Sequence, residues 1–527
     1  MLKKSLILLL AASFGLSSCE SSDGGTARNG STPGLSVNGK QKLTLNWFVN
    51  STNDPRLPSG DQDFVKKTID EKFNVDLKID YMVMGTDYTN KLNLLISSGE
   101  TPDMFIASGI DTAKYTSDKV LRPIEELVTP ATMPNYFKYW ITEIEFKRYQ
   151  SMEVTVRAPI PFQKTPYISY YIRQDWLDKL GLQIPNSYDE MINVMKAFVE
   201  KDPDGNGKND TYGMTGSGSG TTIDRSFPEF IKNGLIGGFM LEGDQLIDVG
   251  TDIRIGQALD DFKKASQMKL YDPNWFLNKA NQRDEKITQG RVGIAYSGSP
   301  EAAFDNHQNS YQKKTRESTG IASVDWQPFH PWAETGVFTQ ELPGHAFVFG
   351  VRSSVDKVKR SIEILDWLAS EEGYLLTHYG KEDVHYKKSG QSIQLVPDAF
   401  KRDVTDKGNF LGVYSFFAPY EPHVLGLVLV DPLETERDRA ILKKIRGYKL
   451  VPSIGTNVGI KEGMDLANLR KMVSVLQSRI IFEEPDASNW PKYRQQLMNQ
   501  YGAKQIFTYY AEQITKVHGK TYTFQAD

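Results

Sequence analysis

Two hydrophobic periodicities alternate over residues 43–107, and this alternation restricts the possible folds more than any other feature. Apolar side chains recur at every second residue in 43–49, as in a β-strand, and then with helical spacing in 64–73. Residues 75–81 return to period two, a further helical pattern follows, and the apolar run 104–107 closes the series. This βαβαβ order predicts an α/β fold in which helices cover a parallel sheet.

Helix boundary signals continue further along the chain. One predicted helix ends at Gly181, a residue that favours the left-handed conformation beyond a helix C-terminus. Ser187 and Glu190 have the spacing of a capping box at the start of the next helix. We also predict a strand over residues 292–296 and an amphipathic helix over residues 355–368.

The N-terminus has the pattern of an export signal. A short basic segment precedes the apolar run 6–16, which is shorter than the roughly 20 residues that span a bilayer. The run ends in Leu-Ser-Ser-Cys, which predicts a lipoprotein signal peptide over residues 1–18 and diacylglycerol and palmitate attachment at Cys19. Residues 19–41, rich in Gly and Ser, are interpreted as a flexible tether. An ordinary signal peptide with a chance cysteine is the alternative.

Size and charge narrow the classes of protein further. About 490 residues follow the tether, and single cores stop growing near 250–300 residues, so we expect two lobes. Cys19 is the single cysteine, which excludes internal disulfides. A net charge of −4 does not provide the basic surface that nucleic-acid binding needs. No later segment approaches membrane-spanning length.

Five segments together resemble family 1 extracellular solute-binding proteins of ABC importers, in particular the LipO-like lipoprotein branch that is similar to alginate-oligosaccharide-binding proteins. Each segment is weak alone, but they occur in the expected order over nearly the whole mature chain. The segments are 91–105 (KLNLLISSGETPDMF), 170–213 (YYIRQDWLDKLGLQIPNSYDEMINVMKAFVEKDPDGNGKNDTYG), 289–295 (QGRVGIA), 362–373 (IEILDWLASEEG) and 380–386 (GKEDVHY).

The resemblance implies a two-lobed periplasmic-binding-protein fold of type II, maltose-binding-like, with each lobe a sheet covered by helices. It places lobe 1 at residues 42–160 plus 340–400 and lobe 2 at 161–339 plus 401–527, with a ligand enclosed when the lobes close. The hinges that it implies lie near residues 158–165, 336–344 and 398–406.

An acidic loop over residues 202–210 predicts a calcium site. Its donors have the spacing of the first nine positions of an EF-hand loop, and calcium prefers six to eight oxygen ligands. Position twelve is Gly213 instead of Glu, so the EF-hand is incomplete. The resemblance implies that the calcium is structural, and the alternatives are a metal-free Asx-type turn and a metal with a catalytic role. The predicted ligands are Asp202, Asp204, Asn206, Asp210 and the carbonyl of Lys208.

Aromatic and polar residues near strand ends are candidates for ligand contact, because aromatic faces stack on sugar rings and ligands of α/β sheets bind beyond the carboxyl ends of strands. Trp275, Trp326 and Trp332 are candidates because they lie in or near loops. Core packing is the alternative for each tryptophan. Trp176 and Trp367 are assigned to packing because they lie within helical apolar patterns. The ligand candidates are Trp47, Asn50, Tyr296, Ser297, Trp275, Trp326 and Trp332.

No enzyme signature stands out in the sequence. The Gly-Ser run 216–220 lacks the Lys-Ser or Lys-Thr ending of a phosphate-binding loop, and the spacing of His378 and His385 favours packing over zinc binding. We therefore expect a non-catalytic, monomeric lipoprotein on the extracellular face of the cell membrane. It would capture an oligosaccharide and deliver it to the transmembrane subunits of an ABC permease. The alternatives are binding of a peptide or another small polar solute, and a secreted carbohydrate-active enzyme.

Overall fold

The computed structural model describes residues 41–51, 55–150, 154–164, 168–332, 336, 338–339, 342–461 and 463–526. The predicted signal peptide, Cys19 and almost all of the tether lie outside these residues. Within the described part of the chain, no helix combines the length and the hydropathy that crossing a membrane requires.

The strands are numbered in chain order. They are β1 (Leu43–Ser51), β2 (Val75–Val83), β3 (Met104–Ser108), β4 (Ala158–Pro159), β5 (Ser169–Arg173), β6 (Tyr212–Met214), β7 (Phe239–Glu242), β8 (Gln245–Asp248), β9 (Val292–Ser297), β10 (Trp326–Phe329), β11 (Phe338–Thr339), β12 (His345–Phe349), β13 (Tyr386–Ser389), β14 (Ser392–Leu395), β15 (Val428–Val430), β16 (Leu450–Val451) and β17 (Thr523–Phe524).

The helices follow the same convention. They are α1 (Phe64–Phe73), α2 (Thr86–Ser97), α3 (Gly109–Ser117), α4 (Glu143–Tyr149), α5 (Gln174–Leu180), α6 (Tyr188–Glu200), α7 (Pro228–Lys232), α8 (Ile255–Gln267), α9 (Ala280–Thr288), α10 (Tyr311–Thr319), α11 (Val355–Leu368), α12 (Glu371–His378), α13 (Pro397–Asp403), α14 (Glu436–Arg446), α15 (Leu466–Glu483), α16 (Trp490–Asn499) and α17 (Ala503–His518).

The first lobe is built on a sheet with the strand order β2-β1-β3-β12-β4. β1 pairs in parallel with both β2 and β3, which confirms the predicted βαβαβ unit. β12 returns to this sheet from a distant part of the chain and pairs antiparallel with β3 and β4. Helices cover both faces of β1, since Trp47 donates a hydrogen bond to Ser361 of α11 and Phe48 stacks on Tyr88 of α2.

The second lobe is built on a sheet with the strand order β10-β5-β9-β6. β9 is parallel to β6 and antiparallel to β5, so Ser297 at the end of β9 lies opposite Ser169 at the start of β5. The C-terminal helices α15 to α17 pack in the core of this lobe through Leu469, Trp490 and Phe507.

Each lobe has a large apolar core of its own, and membership of these two cores shows where the chain crosses between the lobes. The chain leaves the first core between Phe162 and Ile168 and returns to it between Leu342 and Ala346. It passes to the second lobe again only after Leu429.

The predicted boundary of the second lobe at residue 401 is therefore wrong. Val404, Phe410, Tyr414 and Phe417 are buried in the first core. Short helical turns connect these residues, and their aromatic side chains fill space beside β1 and α12. The third crossover lies beyond this segment, near β15, and not at residues 398–406.

The predicted helix boundaries agree with the structure in detail. Gly181 ends α5 in the left-handed region with φ of 66°, and the hydroxyl of Ser187 accepts a hydrogen bond from the backbone amide of Glu190. The Glu190 carboxylate completes the cap one residue earlier than the capping box predicts, because it accepts from the amide of Asn186. Ser354 caps α11 in the same way as Ser187 caps α6.

Candidate functional site

The acidic loop connects α6 to β6, and its first aspartate organises the turn. Asp202 lies in the left-handed region with φ of 44°. Its carboxylate accepts hydrogen bonds from the backbone amides of Gly205, Asn206 and Gly207 at 2.9–3.1 Å. Outside the loop, Lys179 of α5 donates to the carbonyl of Pro203 at 2.9 Å. The backbone of the loop is thus fixed by contacts that leave the other acidic side chains available.

The remaining predicted ligands converge on one amide group. The side-chain nitrogen of Asn206 donates to Asp204 at 2.7 Å and to Asp210 at 3.1 Å. Partial burial raises the pKa of Asp204, and the carboxylates of Asp202 and Asp210 raise it further. A cation relieves this kind of crowding, and oxygen donors at this spacing suit calcium. As it stands, no group of three or more His, Cys, Asp or Glu side chains among the described residues has the geometry of a metal site.

Three of the predicted ligand-contacting tryptophans are core residues. Trp47, Trp326 and Trp275 are 2%, 0% and 5% exposed, respectively. The indole of Trp47 donates to Ser361, and that of Trp326 donates to Thr315. These predictions are wrong, because helices cover the faces of the strands and segments that carry the three rings.

Trp275 packs edge-on against the rings of Phe227 and Phe262, with centroids 5.3 and 5.0 Å away. Asn50, at the end of β1, is half-buried, and its side-chain oxygen accepts from the amide of Met84 at 3.0 Å. In this structure Asn50 therefore fixes the turn after β2.

Tyr296 and Trp332 are brought together in the second lobe, whereas the side chain of Ser297 lies on the opposite face of the sheet, towards Tyr311. All three are partly exposed, and the rings of Tyr296 and Trp332 lie 5.4 and 6.4 Å from the buried ring of Tyr170. Ser297 ends β9 and its hydroxyl accepts from the amide of Ser299 at 3.2 Å. The two partly exposed aromatic rings near the end of this strand form a surface that is suited to a ring-shaped ligand.

A separate cavity of about 350 Å³ lies between the lobes. Glu301 and Phe304, which closely follow Ser297 in the chain, line its second-lobe side together with α14. Tyr379 and Tyr420 line its first-lobe side, and Tyr420 is 58% exposed. We call this space the interlobe cavity. Its volume lies within the range of small-molecule sites.

Ionisable groups from both lobes surround the interlobe cavity. Burial raises the pKa of Glu434, and the nearby carboxylates of Asp431 and Asp438 add to this effect. Partial burial lowers the pKa of His423, and the guanidinium of Arg446 lowers it further. The cavity therefore offers carboxyl, imidazole and guanidinium groups beside tyrosine rings. These residues were not predictable from the sequence, because the cavity joins segments that are distant in the chain.

The two histidines considered for zinc binding are packing residues, as predicted. The ring nitrogens of His378 lie 3.0 Å from the carbonyl oxygens of Ala418 and Tyr374. His385 is 1% exposed and lies 3.4 Å from Asp403.

Comparisons with known proteins agree with this architecture. The model of the family described as bacterial extracellular solute-binding protein matches residues 55–374, more than half of the chain. The lipoprotein LipO of Bacillus subtilis is 26% identical over 357 residues, which cover 63% of this chain and 66% of LipO. The polygalacturonan/rhamnogalacturonan-binding protein YtcQ of Bacillus subtilis is 25% identical over 406 residues, 73% of each chain. The alignment thus spans slightly less than two thirds of LipO.

FusA of Streptococcus pneumoniae, a fructooligosaccharide ABC transporter substrate-binding protein, is 29% identical over 222 residues, 39% of this chain and 40% of FusA. A structure of a FusA EF-hand mutant in complex with fructo-nystose superposes with a TM-score of 0.59 at 17% identity. It covers 90% of this chain and 99% of FusA. This likeness shows the two-lobed α/β fold.

Proposed function

This chain belongs to the bacterial extracellular solute-binding proteins, and on that premise we propose that it captures an oligosaccharide and delivers it to an ABC permease without catalysing a reaction. The observation that carries the proposal is the interlobe cavity with Tyr379 and Tyr420 in its lining. Aromatic rings stack on the apolar faces of sugar rings, while carboxylates and guanidinium groups bind their hydroxyls. The relatives named for polygalacturonan and fructooligosaccharide binding support a carbohydrate ligand.

Closure of the lobes links binding to delivery in this proposal. A ligand that contacts Tyr296 and Trp332 of the second lobe and Tyr420 of the first favours the closed state, because only that state makes both sets of contacts. The closed state then presents both lobes together to the permease.

A binding experiment tests the proposal. Thermal unfolding is measured with neutral oligosaccharides, uronate-containing oligosaccharides and short peptides, and the sugars are analysed for products. We expect one class of oligosaccharide to raise the melting temperature with no product formed. Stabilisation by peptides alone would favour a peptide-binding protein, and product formation would show an enzyme.

Amino-acid substitutions test whether the ligand binds in the interlobe cavity. Tyr420→Ala should weaken binding of the stabilising sugar about 10-fold, or 1.4 kcal/mol, because one stacking surface is lost. Tyr139→Ala, which removes another partly exposed tyrosine of the first lobe, should leave the affinity unchanged. Equal affinities in the wild type and Tyr420→Ala would contradict the assignment of the interlobe cavity.

Lipid anchoring at Cys19 is the second part of the proposal. Two acyl chains make membrane anchoring stable, whereas one chain alone is marginal. We expect Cys19→Ser to move the protein from the membrane fraction to the medium without changing the affinity for the ligand. Retention of the variant in the membrane fraction would exclude this anchor.

The third part of the proposal is a structural calcium in the acidic loop, with Asp202, Asp204, Asn206, Asp210 and the carbonyl of Lys208 as ligands. The convergence of Asp204 and Asp210 on one position supports it. Calcium at 100 times its Kd would stabilise the fold by about 2.7 kcal/mol. Chelation should lower the melting temperature of the wild type, Asp204→Ala should lower it equally, and chelation should not affect the variant. A metal-free turn predicts no effect of chelation on either protein.

A further inference from the structure

A second concave surface lies entirely within the second lobe. It is a cavity of about 660 Å³ between the loop of residues 220–222, Phe276 and one face of α15. Among the residues that the structure describes, none of the first lobe lines this cavity. We call it the α15 cavity. Opening and closing of the lobes would leave its lining intact.

The wall of the α15 cavity opposite the helix is held in place by backbone hydrogen bonds. The amide of Gly218 donates to the carbonyl of Trp275 at 3.1 Å, and that of Gly220 donates to Phe276 at 2.7 Å. A Cβ atom at Gly218 would lie 2.6 Å from the carbonyl oxygen of Phe276, so glycine is required for this close approach. The Gly-Ser run 216–220 is therefore fixed at this point. A preformed wall lowers the entropy cost of binding.

An exposed aromatic ring projects at the end of α15. Phe482 is 55% exposed, although its ring centroid lies 4.7 Å from Phe276 and 6.1 Å from Trp275. Its ring is nearly parallel to that of Trp275, with an interplanar angle of 17°. A supported ring that remains half in solvent offers one face for stacking.

Positive charge predominates around this ring. Arg470, Lys471 and Arg479 line the cavity, and Glu483 is the one carboxylate in the lining. Arg470 forms an ion pair with the buried Asp248 at 2.6 Å.

The guanidinium of Arg225 lies close to that of Arg470, since a Cβ atom at Gly250 would lie within 3.0 Å of both, and the Asp248 carboxylate acts on it electrostatically. Two guanidinium groups beside one carboxylate leave an excess positive charge beneath the wall of the cavity.

Hydroxyl groups complete the lining. Ser474 and Ser478 lie one turn apart on α15, and Thr221 and Thr222 face them from the loop. The Ser478 oxygen is buried and has no hydrogen-bond partner among the described residues. Buried hydroxyl groups are normally satisfied, so a polar ligand group is a suitable partner here.

We propose that the α15 cavity is a second saccharide-binding site, selective for acidic sugars. The apolar face of a ring would stack on Phe482, its carboxylate would be bound by Lys471 and Arg479, and its hydroxyls would be bound by Ser474 and Ser478. The concave shape and the row of hydroxyl groups favour a sugar over a membrane surface. The site does not depend on which ligand the interlobe cavity binds.

The test uses the full-length protein, a linear trimer of galacturonic acid and the matching neutral galactose trimer. Calorimetry measures affinity and stoichiometry at low and high salt. Phe482→Ala and Lys471→Gln should each weaken binding of the acidic trimer about 10-fold. High salt should weaken the same binding event, because the contacts are charged. Ile253→Ala and Lys504→Gln, which remove exposed side chains of the same lobe outside the cavity, are the matched controls.

The outcomes separate this site from the interlobe cavity. Trp332→Ala and Tyr420→Ala, placed at the proposed cleft, should leave binding of the acidic trimer to the α15 cavity unchanged. No binding of the acidic trimer, or wild-type affinity in both cavity variants, overturns the proposal. Equal weakening of the neutral trimer would remove the selectivity for acidic sugars. Binding of anionic phospholipid vesicles that requires Phe482 and Lys471, without binding of the trimer, would replace it with a membrane contact.

Discussion

Each lobe buries an ionisable side chain near its core, and the two side chains respond to pH in opposite directions. In the first lobe, burial lowers the pKa of His378 from 6.5 to about 4. In the second lobe, burial raises the pKa of Glu229 from 4.5 to about 7. In both cases removal from water disfavours the charged form. The comparison shows that the same physical cause destabilises one lobe in acid and the other towards neutral pH.

The hydrogen bonds around these groups show how strong desolvation is. Both ring nitrogens of His378 face carbonyl oxygens, an arrangement that a doubly protonated ring would satisfy, yet burial outweighs it. Glu229 accepts hydrogen bonds from the hydroxyls of Tyr188 and Tyr271, which favour the carboxylate, and burial again prevails. Glu229 is 0% exposed and its second oxygen has no partner among the described residues.

Proton linkage determines whether each group stabilises the fold at low or at high pH. Native Glu229 binds its proton more tightly than the unfolded chain does, so its stabilising effect is complete below pH 4.5 and is lost as the pH rises to about 7. Native His378 binds a proton less tightly, so its stabilising effect is complete above pH 6.5 and is lost as the pH falls towards 4.

Glu229→Gln is the substitution with the largest expected effect on this contrast. A shift from 4.5 to about 7 corresponds to about 3 kcal/mol at 1.36 kcal/mol per pKa unit. We expect the variant to be more stable than the wild type by up to this amount at pH 8 and equal to it near pH 4.5, as measured by urea unfolding. Glu200→Gln, at an exposed position, is the control. A difference that is independent of pH would contradict a raised pKa at Glu229.

His378→Gln tests the loss of stability in acid that we expect for the first lobe. The wild type should lose about 2 kcal/mol of unfolding free energy through this residue between pH 6.5 and pH 5, and the variant should lack this loss. Urea unfolding at pH 5 and pH 7.5 measures it, with the exposed His307→Gln as the control. If the two variants follow the same pH profile, the acid sensitivity of the first lobe has another source.

The test with the smallest expected effect on stability uses residues that do not ionise. Ser354→Ala in the first lobe and Ser187→Ala in the second should each cost about 1 kcal/mol, because each removes a helix N-cap. Since a serine hydroxyl does not titrate in this range, we expect the cost to be the same at pH 5 and pH 8 in urea unfolding. A cost that changes with pH would mean that unfolding of the lobes themselves depends on other titrating groups.

The acidic loop was recognisable in the sequence because its donors lie within nine consecutive residues. Asp202 forms its turn with amides three to five residues away, so the spacing alone fixes which atoms meet. The calcium itself remains a proposal. The βαβαβ unit was predictable for a related reason, since its periodicity is local and its connections are short.

The exposure of the tryptophans was not predictable from local sequence. Trp47 lies at the end of the predicted strand, yet α11, more than 300 residues later in the chain, covers it through Ser361. Trp332 was predicted from its place in a long loop and remains partly exposed. Neither position in the sequence revealed whether a distant segment would cover the ring.

The sequence by itself determined the strand and helix order over residues 43–107, the ends of α5, α6 and α11 and the acidic loop, because these depend on interactions between residues a few positions apart. Tertiary structure alone decided which aromatic rings stay exposed, where the chain crosses between the lobes, and which charges surround the two cavities. Tyr420 and Glu301 meet across one cavity, and Phe276 and Phe482 meet beside another. Such contacts join segments more than a hundred residues apart, and the packing of the two cores brings them together.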